Sequence, residues 1–360
     1  MFYLRVFGLF LLYTIQSVSG ECSDLSESDC IYWSQYCSWN AEQNVCEEIG
    51  GGGGGSSELG PYEVATYTQN DGLQPGSLYA DATIYHPIGY NDLLGSIILG
   101  AGFGGDQESM ENWAYYFSSY GFVSATIQYN DPVNDSHGFR AEAILELISS
   151  IKMEEDRPNS PLFNALDTSE FVAVGYSLSG GSVQLAAVLN SSLSAVIALN
   201  PTIIVEDCEL CAGSEYCICL VPEFLDHSVP TLIIAGQNEV NELPDYDGLL
   251  GQDQYYNTPE TTTKLLYEIG GGGHSSIEWP GASEGIPGRL ALNWLNYFIQ
   301  NKEEYCDSLL IAPENASQFL TTLDCEQGPP PPPCACAGSA ARWPLCSRAC
   351  RSPHARRTRP

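Results

Sequence analysis

Positive charge is scarce in this 360-residue chain: 13 Lys and Arg stand against 45 Asp and Glu, a formal charge of −32 at pH 7. Residues 1–327 hold all 45 acids but only seven of the bases, whereas the last 33 residues hold six Arg and no acid. So strong an acid excess argues against nucleic acid or an anionic membrane surface as a partner, because both demand a basic face. It is compatible with a saline medium, where counter-ions screen the self-repulsion, and it opposes adsorption to negatively charged polymers. Long apolar runs are also missing. Val6 to Tyr13 is too short to span a bilayer and no later stretch is long enough, so membrane insertion is not expected. Histidine is rare as well: with His86, His137, His227, His274 and His354 alone, a reaction that needs an imidazole has few candidates.

Cysteine, by contrast, is plentiful. The 14 Cys fall in clusters, as expected of an oxidising compartment. Residues 1–20 read as a secretory signal, with Arg5 as the sole charge, Val6 to Tyr13 as the apolar core and Val18-Ser19-Gly20 as the cleavage site. The mature protein is therefore expected outside the cell. Residues 21–49 form a small Cys-rich module with Cys22, Cys30, Cys37 and Cys46 beside Trp33 and Trp39. It reads either as a polymer- or glycan-contacting appendage or as a spacer. A Gly/Ser linker, 50–57, follows. Asn134, Asn190 and Asn315 begin glycosylation sequons. Residues 328–360, with Pro329 to Pro333 and then Cys334, Cys336, Cys346 and Cys350, share nothing with the rest. They read as a disordered linker with a Cys-rich terminus or as the product of a misassigned reading frame.

Between these flanks, 58–327 is long enough for one large α/β domain. Buried-strand patterns run at Ala82 to His86, Leu94 to Leu99, Phe122 to Gln128, Phe171 to Gly175, Ala195 to Leu199, Thr231 to Gly236 and Lys264 to Ile269. Helical patterns separate them at Met110 to Ser119, Arg140 to Met153, Leu178 to Leu189 and Gly288 to Asn301. Such alternation predicts a mostly parallel central sheet with helices on both faces. Cys208, Cys211, Cys217 and Cys219 fall in an insertion between two of these strands. Their spacing suits zinc, but an exported chain favours two disulfides that would stiffen a rim or lid.

Gly175-Tyr176-Ser177-Leu178-Ser179 sits where a strand pattern turns into a helix of small residues. A Ser on such a turn is pushed out above the sheet, with the next N–H and the helix's positive end aimed at a developing oxyanion. This is the nucleophile elbow of an α/β-hydrolase, with Ser179 in place of the usual last glycine. The chain order Ser, acid, His is then filled downstream. Glu239 follows the strand ending at Gly236, and His274 follows the glycine run Gly270 to Gly273. His274 is expected to take the Ser177 proton and Glu239 to orient the imidazole; Glu242, Asp245 and Asp247 stand nearby as alternative carboxylates. The loop Gly100-Ala101-Gly102-Phe103-Gly104-Gly105 follows an early strand. Its Phe103 N–H and that of Leu178 are the expected oxyanion hole.

With these pieces placed, the segment from Tyr79 to Cys325 resembles the secreted polyester hydrolases, the bacterial cutinases and polyethylene terephthalate hydrolases related to dienelactone hydrolases. The resemblance rests on Gly102-Phe103, on Ser109-Met110-Glu111-Asn112-Trp113 continuing to Ser119-Tyr120-Gly121-Phe122-Val123, on Val229-Pro230-Thr231-Leu232-Ile233, and on Gly273-His274-Ser275. It implies the α/β-hydrolase fold, a disulfide between Cys306 and Cys325, and an acyl pocket lined by Phe103, Leu178 and Thr202. The chain departs from the pattern at Glu239, where the family carries Asp, at Ser179, and at Thr202, where the family carries a Trp. Loss of that Trp removes a flat surface that stacks on a terephthalate ring.

The expectation is an exported serine carboxylic-ester hydrolase of cutinase or polyester-hydrolase type, monomeric, acting on short-to-medium acyl esters or polyesters. No metal or organic cofactor is needed for that chemistry. A lipase, an acetylhydrolase or a chlorophyllase-like esterase would use the same residues, and a triad-bearing but inactive binding protein would share the fold.

Overall fold

Runs of Val, Ile, Leu and Ala that carry apolar side chains on consecutive residues can be buried only where both faces of a strand are covered. The computed structural model describes the backbone of 37–40 and 45–48, and residues 59–202, 222–239, 250–326 and 328. The expected signal segment, the 208–219 Cys cluster, Glu242, Asp245, Asp247 and the Cys-rich end of the chain lie outside the described residues. The chain divides into two units, Met1–Ser56 and Ser57–Pro360. In the first, β1 (Cys37–Asn40) and β2 (Val45–Glu48) pair antiparallel, with Trp39 opposite Cys46.

The second unit holds β3 (Val64–Thr68), β4 (Tyr79–Pro87), β5 (Leu94–Gly100), β6 (Val123–Tyr129), β7 (Leu166–Tyr176), β8 (Ala195–Leu199), β9 (Thr231–Gly236), β10 (Lys264–Ile269) and β11 (Ala316–Thr321). They make one nine-stranded sheet in the order β11-β10-β9-β8-β7-β5-β6-β4-β3. The inner pairings from β6 to β10 are parallel, while β4 and β3 on one edge and β11 on the other are antiparallel. The helices are α1 (Glu111–Ser119), α2 (His137–Lys152), α3 (Leu178–Leu189), α4 (Leu250–Asn257) and α5 (Ile286–Phe298).

Strand alternation sorts the core into two layers. Ile97, Leu99, Val172, Val174, Ile197 and Leu199 pack with Trp113 and Phe117 of α1 and Trp294 and Leu295 of α5. Their immediate neighbours Ile98, Ala173, Val196 and Ala198 face the other way, onto Ile144 and Leu147 of α2 and Val183 and Ala187 of α3. A buried side chain of this size contributes about 1.5–3 kcal/mol, so both layers lock the strand ends that carry the loops described below. Among the described residues no helix is long and apolar enough to cross a membrane.

The expected α/β sheet is the one observed, with differences at its edges. The strands Val64–Thr68 and Ala316–Thr321 carry no strand pattern in the sequence, because their residues are largely half-exposed and lack a continuous apolar run. Helix α4 was missed for the same reason; it is short and largely polar. Helix α2 starts three residues before the expected Arg140 because Ser136 caps it, its side chain accepting from the Phe139 N–H. Helix α5 stops at Phe298 rather than Asn301, which adopts a left-handed φ of 52°. The disulfide Cys306–Cys325 is present and joins the segment after α5 to the chain beyond β11.

Two histidines outside the site are buried as neutral groups. Desolvation lowers the pKa of both His137 and His227 to about 4; for His137 the Thr202 carbonyl opposes the shift and Arg140 adds to it. In the unfolded chain each takes a proton near pH 6.5, so stability is full above that value and is lost as pH falls toward 4. The expected cost is about 3 kcal/mol per histidine at pH 4. Urea unfolding at pH 7.5 and pH 4.5 checks this against a His227→Gln variant, which should lose less stability on acidification; equal losses would refute it.

Candidate active site

Ser177 is the single residue between β7 and α3, and it pays for that sharp turn with φ 54° and ψ −119°. Such a conformation costs a non-glycine residue on the order of 1–3 kcal/mol. Main-chain bonds hold it: the Ser177 N–H donates to Leu199 O at 2.9 Å, and its carbonyl accepts from Gly180 N–H at 2.8 Å and Thr202 N–H at 3.0 Å. The turn also needs space that only glycine leaves. A Cβ on Gly175 would lie 2.0 Å from Ser179 O, and one on Gly180 would lie 2.7 Å from Pro201 Cα.

Strands β9 and β10 are parallel neighbours, so the loops leaving them run side by side. Asn238 N–H donates to Gly272 O at 2.7 Å, and a Cβ on Gly236 would meet that same carbonyl at 2.5 Å. This close contact brings Glu239 under His274. Glu239 is 1% exposed, and its Oε1 lies 3.2 Å from His274 Nδ1. On the other side of the ring, His274 Nε2 lies 2.9 Å from Ser177 Oγ. An ionised carboxylate only accepts, so Nδ1 carries the ring proton, and Nε2 is left to accept from the serine hydroxyl.

The glycine loop after β5 passes beside Ser177: a Cβ on Gly102 would stand 3.1 Å from Ser177 Cβ. Gly104 turns the chain with φ 68° and anchors it through its N–H to Pro132 O at 2.8 Å. Among the described residues, the N–H groups of Phe103 and Leu178 have no protein acceptor. The Phe103 side chain is 63% exposed at this rim, while Leu178 is buried. Thr202 is 3% exposed and meets Ser177 through its main chain, so it presents almost no surface to a substrate.

The PET hydrolase-like family matches residues 56–326 of the chain. The chain belongs to this family. Over 242 residues this PET hydrolase-like chain is 26% identical to cutinase est2 of Thermobifida alba, covering 65% of this chain and 69% of that one. It is 25% identical over 255 residues to the bis(hydroxyethyl) terephthalate hydrolase of Streptomyces coelicolor, covering 68% and 70% of the two chains. Cutinase 1 of Thermobifida cellulosilytica is 24% identical over 257 residues, covering 71% of this chain and 87% of its own.

In this PET hydrolase-like chain, three side chains that sequence reasoning passed over converge on the same loops. Tyr176 OH donates to His274 O at 2.9 Å. Asn200, fully buried at the end of β8 with φ 40°, donates its side-chain amide to the same carbonyl. The Asn200 Oδ1 also accepts from Gly236 N–H at 2.7 Å, tying the β9 end to the His274 loop. Arg140 is the third, and lies beneath the glycine loop. Tyr176 was legible as an elbow residue but not by its partner. No pattern along the chain marked Asn200 or Arg140.

Proposed function

We propose that this chain is an exported serine carboxylic-ester hydrolase working through an acyl-enzyme. The observation that carries the reading is the alignment of Ser177 Oγ, His274 and Glu239, with imidazole contacts of 2.9 and 3.2 Å. Ser177 Oγ attacks the ester carbonyl carbon as His274 Nε2 removes its proton. Negative charge then collects on the carbonyl oxygen, where the Phe103 and Leu178 N–H groups receive it. Collapse breaks the C–O bond to the alcohol, which leaves with the proton held by His274. Water repeats the sequence on the acyl-enzyme, giving the carboxylic acid and free Ser177. Glu239 keeps the ring in the required tautomer and balances the imidazolium.

Family membership and relatives named as cutinases and as a terephthalate-ester hydrolase support ester chemistry. Substrates are neutral esters of short-to-medium acyl chains, and polyesters whose chain can lie on the exposed Phe103 ring. The signal-like residues 1–20 support export. A fluorophosphonate probe tests the reading directly, since it reacts with a serine only when base and hole are in place. Stoichiometric labelling mapped to Ser177 is the expected result. A folded protein that takes up no probe would overturn it and leave a hydrolase-fold binding protein.

A further inference from the structure

Arg140 is fully buried in the first turn of α2, yet the ion pairs among the described residues are Arg157–Glu154, Lys264–Glu260 and His274–Glu239. Its charge is met by neutral oxygens instead. Nη1 donates to Ala101 O at 2.8 Å, Gly102 O at 3.2 Å and Ser179 Oγ at 3.2 Å. Nη2 donates to Pro132 O at 2.6 Å and Nε to Asp135 O at 3.1 Å. The plane of the group lies over Tyr129, 4.3 Å from the ring centre. The Asp135 charge attracts the guanidinium without forming an ion pair, and burying a cation is costly, so an arrangement that aims it at the carbonyls of two loops calls for a reason.

The carbonyl of Gly102 belongs to the same peptide group as the Phe103 N–H. Donation onto that oxygen draws electron density through the amide and makes its N–H a stronger donor, by the cooperativity common to linked hydrogen bonds. The same fork ties loop 101–102 to loop 132–135, fixing a segment whose glycines would otherwise leave it loose. Ser179 belongs to this network. Its Oγ bonds Ala101 O at 2.5 Å and Tyr129 OH at 2.9 Å, in space kept open by Gly100, whose Cβ would meet Tyr129 OH at 2.3 Å. The departure from the usual elbow glycine is therefore a built contact.

We infer that Arg140, with Ser179 bracing the preceding Ala101 carbonyl, is a positioning residue for the oxyanion hole: it orients and polarises the Gly102–Phe103 peptide so that the Phe103 N–H is ready for the developing oxyanion. This rests on the serine-esterase reading above. The fork matters as much as the charge, because a lysine ammonium has three donors on one atom and cannot reach oxygens on both loops and Ser179 together.

The test compares p-nitrophenyl butyrate with its thiono analogue, whose C=S sulfur accepts hydrogen bonds poorly. Arg140→Lys is expected to lower kcat on the oxygen ester about 10- to 100-fold with KM nearly unchanged, below or near the cost of losing one oxyanion donor. The ratio of oxygen-ester to thiono-ester turnover should fall in parallel, which a merely structural defect would not produce. Ser179→Ala, the milder change, should shift the ratio the same way with an activity loss of about 3- to 10-fold, the scale of one hydrogen bond, and it decides the matter if Arg140→Lys does not fold. An unchanged ratio in the folded variant overturns the inference. Fluorophosphonate labelling of the unmodified protein keeps the two questions apart: no labelling would sink the esterase reading, whereas normal labelling with an unchanged ratio would sink only the role of Arg140.

Discussion

Ser177→Ala is expected to lower kcat on p-nitrophenyl butyrate by at least about 10,000-fold while leaving the fold and thermal midpoint nearly unchanged. The hydroxyl is the only atom lost, and the main chain that holds the turn is tied by bonds to Leu199, Gly180 and Thr202 rather than by the side chain. The His274 ring would lose its contact at Nε2 but keep Glu239 at Nδ1. Residual hydrolysis would then come from water attacking an ester polarised by the Phe103 and Leu178 N–H groups. Steady-state kinetics on the folded variant, beside the unmodified protein, measure the loss. A rate within about tenfold of the unmodified protein would place the nucleophile elsewhere, because no partial triad preserves that much.

Glu239→Gln carries the second large effect, an expected fall in kcat of about 1,000- to 10,000-fold. Gln is nearly isosteric, so the loop linked through Asn238 to Gly272 should hold its shape. What changes is chemistry. The amide presents an N–H₂ as well as an oxygen, so it no longer enforces a proton on Nδ1, and it supplies no charge to balance the imidazolium. KM should move little, since the group lies behind the ring and away from the ester. Full retained activity would transfer the acid role to Glu242 or Asp245, which follow closely in the chain. A glutamate here is consistent with the 3.2 Å contact, the extra methylene spanning what an aspartate would reach from a nearer main chain.

The candidate site was largely legible from chain order. Ser177, Glu239 and His274 each follow a strand, and parallel strands deliver their following loops to one end of the sheet. That logic depends only on recognising the strands, which had continuous apolar runs. It failed for β3, β11 and α4, whose residues are mixed and take their structure from the element they pair with. The family resemblance implies a pocket wall at Thr202, a residue that is 3% exposed, with its carbonyl 2.9 Å from His137 Nε2.

Local covalent chemistry explains what the amino-acid order determined by itself: the alternation of strand and helix, the serine on a turn flanked by glycines, the order of the three site residues and the excess of acid. Each follows from the conformational limits or charge of neighbouring residues. Only the tertiary structure decided which distant atoms meet. Ser177 and His274 are 97 residues apart, Tyr176 and the His274 carbonyl 98, and Arg140 and Ala101 39. A buried guanidinium finds its acceptors among carbonyls that every residue possesses, so no side-chain pattern could announce them. Their convergence is a consequence of packing two loops and a helix end against one another.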